Sequence, residues 1–571
     1  MQLKKWIMRE KNHSADEALK LAGKLGLPPI VVSILLSRGA DDVERFLDAD
    51  VSDFYSPFLM KDAEGAADRI ISAIKNKEKI TVYGDYDVDG ITSTVMLVRF
   101  LKSHGAEVSY YIPDRLEEGY GINHDAIDVI RNGQTELLIT VDCGITAVAE
   151  IEYAKEKGMT VIVTDHHECK EDIPKADFVI NPKQPDCKYP FKKLAGVGVV
   201  FKLIQAITIR LKFHMQELID EYIDLVAIGT VADVMPLEDE NRIIVKEGLS
   251  HIAYTSNHGI KALIKLADIK TSAISTSTIG FGIAPRINAA GRMGTSDCAA
   301  ALLLATDELE AEKYAHLLEE ENKRRQSLEN DIFSEAIEII EKSREMDDDY
   351  VLVLDHDDWH HGIVGIVASR ISEKYNKPCI LISTDSQGNG KGSGRSIKGF
   401  NLFEALCECR EYLVKFGGHE LAAGLSCEKS KIGDFRKAIN KYAKSVLKPE
   451  DFVPVIYIDA ILPIEYLNIN TAEKLSVMQP YGMGNPAPVF CTSDLTVTSC
   501  RALSDGKHLR LTLEKNNLYV DAIGFGMGER AGSIKIGDRL DVVYNLDINV
   551  FRGEKHTQLH LRDLRFSKGK E

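Results

Sequence analysis

The segment Lys79-Ile-Thr-Val-Tyr83 is followed without a break by Gly84-Asp-Tyr-Asp-Val-Asp-Gly90. The first segment is mostly aliphatic, aromatic or β-branched, which predicts a strand. Asp85, Asp87 and Asp89 alternate with other residues, so in an extended segment their side chains project to the same side. Three carboxylates on one side repel one another unless a cation neutralises them. The sequence therefore predicts a strand that ends in a cation-binding loop.

A calcium loop of the EF-hand type also opens with alternating acidic residues and a glycine. Here the twelfth position is Met96 instead of Glu. The flanking elements are a predicted strand and a predicted helix at 91–103, whereas an EF-hand loop lies between two helices. These differences argue against EF-hand calcium.

The strand at 79–83 is the first of several short β-rich runs that alternate with helical stretches between about 65 and 235. The other runs are Val108–Ile112, Leu137–Val141 and Thr160–Thr164. A further helix is predicted at 219–228. This alternation predicts βαβ units and a mostly parallel sheet covered by helices on both faces.

Acidic residues recur where these runs end. Asp142 follows the third run, Asp165, His166 and His167 follow the fourth, and Asp233 follows the helix predicted at 219–228. Ligand sites of open α/β sheets lie beyond the carboxyl ends of the strands. We therefore expect these loops to converge on one site.

The composition of the converging loops indicates which metal they bind. Several carboxylates with one or two imidazoles suit manganese or magnesium better than zinc. Cys143 and Cys169 lie close to the loops in sequence, so zinc remains an alternative. There are enough ligands for two metals that share a bridging carboxylate, an arrangement that hydrolyses phosphoesters. The loops thus predict a phosphohydrolase.

The remaining sequence divides into further predicted domains. Helical patterns cover residues 15–50, and a second α/β segment begins with the β-rich runs 350–354 and 379–382. After Asp451 the pattern becomes all-β, which predicts a small barrel or sandwich. The predicted divisions are an N-terminal helical segment at 1–55, a catalytic domain at 56–305, a connecting helix at 306–346, a second α/β domain at 347–448 and a β domain at 449–571.

A charged stretch at about 307–345 contains neither Pro nor Gly. Its apolar residues cluster at both ends, and its middle, Glu319 to Gln326, is wholly polar. This pattern predicts a long helix with packed ends that bridges two lobes through solvent. An ordinary surface helix broken in two is the alternative.

The formal net charge of −17, from 87 acidic and 70 basic residues in 571, argues at first against a polyanionic partner. Residues 500–571, however, carry a net charge of +3. No run of 18 apolar residues and no apolar leader is present, so we expect neither a membrane span nor secretion. Ten scattered cysteines are typical of a reduced cytoplasm, where we expect the protein to act.

The acidic motifs, together with six others in order, carry a family resemblance. They are 84–90, Val141–Gly144, Asp165–His167, Ala232–Pro236, Arg115–Gly121, Ala284–Met293, Trp359–Gly365, Gly394–Ser396, Gly417–Gly424 and Tyr481–Pro486. The chain resembles the DHH phosphoesterase superfamily and, within it, the exonucleases specific for single strands. The resemblance implies an α/β fold with a DHH-type parallel-sheet core, a long helix to a second α/β domain, and a C-terminal OB-fold barrel.

The resemblance also implies a two-manganese centre, with magnesium as a substitute. Asp85 and Asp87 would lie on one metal, and Asp89, His166 and Asp233 on the other, with Asp142 bridging. His167 would face the scissile phosphate, either to orient it or to donate a proton. Asp165 would hold an imidazole in place, as carboxylates behind metal-bound histidines usually do.

Substrate phosphates need donors that stay charged, and Arg offers a planar fork that matches two oxygens. The Gly-rich stretch 388–396 lets backbone amides approach phosphate but lacks the Walker ending, which excludes ATP there. With the resemblance, the expected substrate ligands are Arg115, Arg286, Asn288, Ser393, Arg395, Gly418 and His419. Whether Arg292 has a structural or a functional role stays open. Tyr519, Phe525, Tyr544, Phe551 and Phe566 are candidates for base stacking in the barrel, or else core residues.

Taken together, the resemblance implies a 5′→3′ exonuclease on single-stranded DNA that releases mononucleotides in DNA repair and recombination. Its second domain would close over the first and leave a cleft too narrow for duplex. The expected partners are single-stranded DNA, a single-strand-binding protein and a helicase, with the enzyme a monomer and no membrane involved. The alternatives are a phosphodiesterase of oligoribonucleotides or cyclic dinucleotides and a non-catalytic replication scaffold.

Overall fold

The computed structural model describes residues 4–567 except 41, 116, 117, 120, 295 and 344–347, and residue 551 only in its backbone. Parts of the predicted motif 115–121 and the last residues of the predicted connecting helix therefore lie outside the described residues. The chain forms two compact units. The barrel unit contains Met1–Asp53, Leu237–Asp239 and Pro454–Glu571, and the sheet unit contains Phe54–Pro236 and Glu240–Val453.

The N-terminal residues form one strand and three helices, as the pattern over 15–50 predicts for the helices. They are β1 (Lys5–Met8), α1 (Ala15–Leu25), α2 (Pro29–Ser37) and α3 (Val43–Asp48). Local sequence sets the ends of α1: Ser14 accepts a hydrogen bond from the Glu17 N–H, and Gly26 ends the helix in a left-handed conformation.

A parallel five-stranded sheet forms the first half of the sheet unit. Its strands are β2 (Lys79–Gly84), β3 (Glu107–Tyr111), β4 (Leu137–Val141), β5 (Thr160–Thr164) and β6 (Phe178–Ile180). The first four were predicted within one residue. β6 was not, because three residues are too few to show a pattern. The spatial order is β3-β2-β4-β5-β6, with every neighbouring pair parallel.

Helices cover both faces of this sheet, as predicted, and further helices of this half pack on other helices. They are α4 (Ala63–Asn76), α5 (Val88–Ser103), α6 (His124–Asn132), α7 (Val148–Glu156), α8 (Gly196–Leu211), α9 (Met215–Ala232), α10 (Asp239–Ile252), α11 (His258–Leu266), α12 (Thr276–Thr278), α13 (Ala284–Met293) and α14 (Ser296–Leu304). α6 and α7 share a core with one face, and α5 and α8 pack on the other. The chain leaves β2 for β3 on one side and returns to β4 on the other, so the topology reverses between β2 and β4.

We predicted that residues 84–90 are extended and that a helix begins at residue 91. This prediction is wrong for residues 88–90, which are helical. α5 begins at Val88, so Asp89 lies in its first turn. The helix starts early because the Asp87 side chain accepts a hydrogen bond from the Gly90 N–H at 3.1 Å and caps it. Asp85 and Asp89 thus reach the site from a strand end and a helix start.

The long helix is present as α15 (Glu308–Lys342), 35 residues long. Its polar waist does not run through solvent, contrary to prediction. Asn322 is 2% exposed and Arg325 9% exposed, and both continue the buried stripe of the helix. Arg325 donates to Asn322 and pairs with Glu329, which also pairs with Arg370. Charge pairing lets the polar waist pack.

A second sheet follows, with its own helices. The elements are β7 (Leu352–His356), α16 (His361–Tyr375), β8 (Cys379–Thr384), β9 (Asn389–Arg395), α17 (Leu402–Glu408), β10 (Lys415–Gly418), β11 (Ala422–Glu428) and α18 (Ile432–Val446). The order is β10-β11-β9-β8-β7, antiparallel except for the β7–β8 pair. α15 contacts α13 and α14 of the first half and α16 of the second, and so joins the two α/β halves.

The C-terminal residues form the predicted barrel. The elements are β12 (Val455–Ile458), β13 (Ala460–Ile461), α19 (Ile469–Leu475), β14 (Phe490–Leu503), β15 (His508–Lys515), β16 (Leu518–Gly524), β17 (Arg539–Phe551) and β18 (Glu554–Phe566). Pairing of β14 with both β15 and β17 closes it; β16 pairs with β18 in parallel, as β13 does with β14, and the other described pairs of this sheet are antiparallel.

The N-terminal helices share one hydrophobic core with this barrel. Asp459, which is buried, accepts hydrogen bonds from Arg9 and Arg38. In the motif Tyr481–Pro486, Asn485 donates to two backbone carbonyls and accepts from Arg38, so here the motif supports the barrel unit.

Within the described residues, no helix is both long enough and apolar enough to span a membrane. All ten cysteines are described, and each is a free thiol.

Arg325→Ala should lower the thermal midpoint of the sheet unit by a few degrees, because it leaves the poorly exposed Glu329 with one cationic partner fewer. Arg324→Ala, a neighbour whose side chain is mostly exposed, is the matched control and should shift the midpoint by less than about 1 °C. Differential scanning calorimetry measures both. If Arg325→Ala and Arg324→Ala had the same thermal midpoint, the middle of α15 would not be packed.

Candidate metal centre and substrate cleft

The reversal of topology brings strand ends together at one place. Asp85 directly follows β2, and Asp142 directly follows β4, which lies beside β2. Asp165 follows β5, the next strand in the sheet. Asp142 has a φ of 58°, a left-handed conformation uncommon for a residue other than glycine. The sheet thus delivers three acidic loops to the point where ligands of such sheets bind.

The start of α5 contributes two further carboxylates, and the start of α8 holds one of them. Asp87 caps α5, and the carboxylate of Asp89 accepts hydrogen bonds from the first N–H groups of α8, Gly196 at 2.6 Å and Val197 at 2.8 Å. A helix N-terminus carries partial positive charge, which stabilises a nearby carboxylate. These contacts fix where Asp89 lies.

The acidic loops form two groups of possible metal ligands that share no residue. Asp85, Asp87 and Asp142 form one, and the other consists of Asp89, His166 and Asp233; a third group, Asp142, His166 and His167, overlaps both. Within each group the ligand atoms lie within 4.8 Å of one another. The groups adjoin, since His166 Nε2 lies 3.2 Å from Asp142 Oδ1 and 3.6 Å from Asp233 Oδ2.

Electrostatics show that this arrangement fits a cation. Burial, then repulsion by Asp89, raises the pKa of Asp142, and burial followed by Asp87 raises the pKa of Asp85. Burial and Asp87 also raise the pKa of Asp233 to about 7. Buried oxygens of all three have no hydrogen-bond partner among the described residues. Divalent cations would satisfy these oxygens and reverse the repulsion.

No cysteine belongs to either ligand group within the described part of the chain. Cys143 is fully buried in the core between the sheet and the helices α6 and α7. The donors are carboxylate oxygens and imidazole nitrogens, which suit manganese or magnesium better than zinc.

Asp165 holds His167. Its Oδ1 accepts from the Nδ1 of His167 at 2.7 Å and from the backbone N–H groups of His166 and His167, while its Oδ2 accepts from Ile145. Burial disfavours the charged imidazole, but the bond to Asp165 outweighs it and raises the pKa of His167 to about 9. Asp165 therefore orients His167 beside the acidic groups.

Next to the acidic loops lies a cluster of arginines. Arg115 stands over the ring of Tyr86, which follows Asp85 directly, at 5.1 Å from the ring centroid. Burial, then Arg115 and other guanidinium groups, lowers the pKa of Arg292 to about 9, and burial together with Arg115 lowers that of Arg395. Guanidinium groups gathered in this way fit an anion such as phosphate.

The structure separates the two arginines of α13. Arg286 pairs with Glu319 of α15 at 2.7 Å and donates to the Gly282 carbonyl. Arg292 lies with Arg115 and donates to the Gly362 carbonyl at 3.1 Å. The predicted ligand Asn288 lies one helical turn before Arg292, on the same side of α13. The cluster thus includes Arg292, which the sequence left open, whereas Arg286 is engaged by a carboxylate.

The remaining predicted substrate residues lie on the second sheet. Ser393 accepts from the Nη1 of Arg395, two residues further along β9. Gly418 has a φ of 148°, and a Cβ there would lie 2.4 Å from the Ala422 carbonyl oxygen, so only glycine fits. It precedes the exposed His419 in the turn between β10 and β11.

A cavity of about 520 Å³ lies between the Arg115 loop and the second sheet. Residues of β9, β10 and β11 line it, together with His361 at the start of α16. Partial burial, then Lys391 and Arg115, lowers the pKa of His361 to about 4. Three cationic side chains, Arg115, Lys391 and Lys415, line the cavity with one carboxylate, Glu118, so the cavity is net positive beside a negatively charged ligand cluster.

In the barrel, the aromatic candidates differ in exposure. Tyr519, Phe525 and Phe566 are exposed, whereas Tyr544 is fully buried and bonds to Thr492. The side chain of Phe551 lies outside the described residues. A groove of about 700 Å³ includes Tyr519 in its lining.

Several residues of the site were not predicted. Tyr86 lies beneath Arg115, Gly196 binds Asp89, and Lys391, Lys415 and His361 line the cavity. Gly196 begins the glycine-rich Gly-Val-Gly start of α8, the one signal in the sequence that pointed to a close approach. The lysines had no motif around them that distinguished them from surface lysines.

Three family models match the chain: "DHH family, N-terminal domain" at residues 79–230, "DHHA1 domain" at 348–445 and "RecJ OB domain" at 458–563. The single-stranded-DNA-specific exonuclease RecJ of Bacillus subtilis (strain 168) is 41% identical over 553 residues, which cover 96% of this chain and 69% of that protein. The chain belongs to the RecJ family.

Solved RecJ structures agree with this result. RecJ from Thermus thermophilus in complex with Mn²⁺ superposes with a TM-score of 0.85 at 30% identity, covering 99% of this chain and 80% of that one. The same protein in complex with Mg²⁺ gives a TM-score of 0.79 at 29% identity, covering 99% and 79%. The predicted fold, with its parallel-sheet core, long helix, second α/β domain and OB barrel, is confirmed. Divalent metals fit this family and the acidic groups seen here.

Gly196→Ala should weaken divalent-cation binding, because a Cβ at Gly196 would lie 2.5 Å from Asp142 Oδ1 and displace that carboxylate. Gly198→Ala, in the same turn of α8, is the matched control, since its Cβ would meet only Leu194 at 3.3 Å. Calorimetric titration with Mn²⁺ should show at least about tenfold weaker binding for Gly196→Ala alone. Equal affinities would mean that Asp142 does not bind metal.

Proposed function

We propose that this protein is an exonuclease specific for single-stranded DNA that hydrolyses phosphodiester bonds with two divalent cations. The observation that carries the proposal is the pair of adjoining ligand groups beside a cationic cleft, in a chain of the RecJ family. The 5′→3′ direction, the release of 5′-mononucleotides and a role in DNA repair and recombination follow from the family and belong to the same proposal.

Each ligand group holds one cation in this proposal. Asp85, Asp87 and Asp142 bind one, and Asp89, His166 and Asp233 bind the other. The 3.2 Å separation of Asp142 Oδ1 from His166 Nε2 supports Asp142 as the bridge, because this carboxylate borders both groups. Manganese is the proposed metal, with magnesium as a substitute.

Cations held by these residues would supply a hydroxide nucleophile and would stabilise the negative charge that develops on the attacking and leaving oxygens. The chain contributes a fixed set of ligands. Asp89 cannot swing away while Gly196 and Val197 donate to it, and the close fit of Gly196 against Asp142 limits that carboxylate as well. Rigid ligands keep the geometry that the displacement requires.

His167 and Asp165 act beside the ligands. The Nδ1 of His167 bonds to Asp165, and in this proposal Nε2 is the nitrogen that acts on the substrate. His167 then orients the scissile phosphate or donates a proton to the leaving oxygen. Asp165 fixes the imidazole and takes no part in the bond changes.

Arg115, Arg292 and Arg395, with Ser393, bind the phosphates next to the scissile bond. Asn288, Gly418 and His419 complete the predicted substrate ligands, while Arg286 acts through its pair with Glu319, which supports α13. The cavity of about 520 Å³ has the usual volume of a small-ligand site, so it can hold one or two nucleotides. This size supports a preference for single strands over duplex.

The barrel binds a further part of the strand, through exposed aromatic residues such as Tyr519 and its slightly basic charge. The division at residues 55, 305, 346 and 448 is the proposed domain organisation. A cytoplasmic location, a monomeric state and partnership with a single-strand-binding protein and a helicase stay predictions from the sequence and the family.

Asp142→Asn should reduce nuclease activity at least about 10³-fold, because an amide cannot bridge two cations. Asp128→Asn, a carboxylate on α6 that pairs with Lys157, is the control and should retain activity. Release of nucleotides from labelled single strands measures both, and circular dichroism checks the fold. An active Asp142→Asn protein would contradict the two-cation mechanism.

Strands labelled at either end test direction and substrate. With Mn²⁺, a 5′-labelled DNA strand should lose its label first, and duplex DNA and chelator-treated samples should stay intact. RNA of the same sequence and dinucleotides serve as competitors. Digestion from the 3′ end, or preferred cleavage of dinucleotides, would overturn the assignment.

A further inference from the structure

One face of the second sheet is only half covered. α16 packs over β8 and β9, and Leu354 of β7 and Leu381 of β8 join its apolar core. It approaches β9 closely at Gly365, whose Cβ would lie 2.9 Å from Ser393 Oγ. Beyond β9, the same face of β11 and β10 borders the cavity.

The sequence of β9 alternates between the two faces. Gly390, Gly392 and Gly394 are buried on the side that packs against the core beneath α17 and α18. Lys391, Ser393 and Arg395 project to the other side. Because side chains alternate with period two, these three form a line along the strand, with about 7 Å between neighbours.

Strand register extends this line into rows across the sheet. Lys391 pairs with Ser426 of β11, and Ser426 pairs with Lys415 of β10. Directly paired residues project to the same side, so the two lysines flank Ser426, with about 10 Å between their Cα atoms. Both lysines are exposed. Neither has a carboxylate within 4 Å among the described residues.

The next row of paired residues has only one side chain, that of a serine. Ser393 pairs with Gly424, which pairs with Gly417. A Cβ at Gly417 would have no neighbour within 4 Å, and at Gly424 only a carbonyl oxygen at 3.9 Å. These glycines thus leave a flat strip between the lysine row and the row of Arg395. A sugar or base can lie on such a strip without displacing a side chain.

We propose that Lys391, Ser426 and Lys415 form a phosphate subsite that takes a backbone phosphate of the substrate strand about 13 Å from the one held by Arg395, as the spacing of four residues along β9 sets. The two ammonium groups bracket the phosphate from either side, and the Ser426 hydroxyl donates from below. Arg115, His361 and Glu118, whose carboxylate accepts from Tyr111, Asn123 and the Asp114 N–H, form the facing wall of the same cavity. The subsite rests on the proposed function, since it assigns where a further part of the same strand binds.

The subsite makes binding depend on strand length. A dinucleotide reaches the arginines but not the lysine row, whereas a longer strand engages both. Each phosphate contact on a single strand adds about 0.7 to the slope of log affinity against log salt. Removing the subsite should lower that slope by about 0.7.

The test compares Lys391→Ala/Lys415→Ala with the wild-type full chain. Binding of a labelled six-nucleotide DNA strand is measured by fluorescence anisotropy in chelator, so that no strand is digested, from 50 to 300 mM salt. The double variant should bind about tenfold more weakly at low salt and show the smaller slope. In Mn²⁺, its KM relative to wild type should rise as the substrate lengthens from two to six nucleotides.

Lys437→Ala/Lys441→Ala is the matched control, because it removes two exposed lysines from α18, on the opposite face of the same sheet. The subsite is overturned if both double variants show the wild-type salt slope, or if the loss is as large for a dinucleotide as for six nucleotides. Failure of the exonuclease function itself would be seen separately, as wild-type protein that binds strands in chelator but digests none in Mn²⁺.

Discussion

Negative charge buried at the carboxyl ends of β2, β4 and β5 is the constraint on which the rest of the structure depends. Asp85, Asp89 and Asp142 are almost completely buried within one small volume, which raises their pKa values unless cations lie between them. The topology reverses where these carboxylates meet, and α5 and α8 both begin there. The helix N–H groups therefore stabilise part of the negative charge on these carboxylates, and divalent cations must stabilise the rest.

The opposite charge lies a short distance away. Arg115 stands over the ring of Tyr86, and Arg292 and Arg395 lie near Arg115. Since Tyr86 directly follows Asp85, its ring separates the cationic cluster from the acidic one. α15 holds this arrangement together because it packs on α13, which carries Arg292, and on α16, which begins at the cleft. The net charge of −17 averages over both clusters and therefore says little about the substrate. A strand of phosphates meets the local field of the cleft.

Much of the fold and of the metal site was predictable because strand ends converge by topology alone. Asp85, Asp142 and Asp165 could be brought together from four short β-rich runs. The early start of α5 was missed although its cap is local, because alternating aspartates also fit an extended segment. The packed waist of α15 depends on the ion pairs of Glu329 with Arg325 and with Arg370 of α16, and the latter is a tertiary contact that no local pattern shows. Arg286 and Arg292 looked alike in sequence, and only packing shows that Glu319 engages the first. The shared core of the N-terminal helices and the barrel joins residues more than 400 positions apart, where no local pattern reaches.

The central claim is that two adjoining ligand groups hold two cations with Asp142 between them. Anomalous diffraction from crystals grown with Mn²⁺, recorded at the manganese edge, tests it most directly. The account predicts two anomalous peaks per chain, one among Asp85, Asp87 and Asp142 and one among Asp89, His166 and Asp233, with Asp142 within bonding distance of both. A single peak, or two peaks of which neither contacts Asp142, would contradict it.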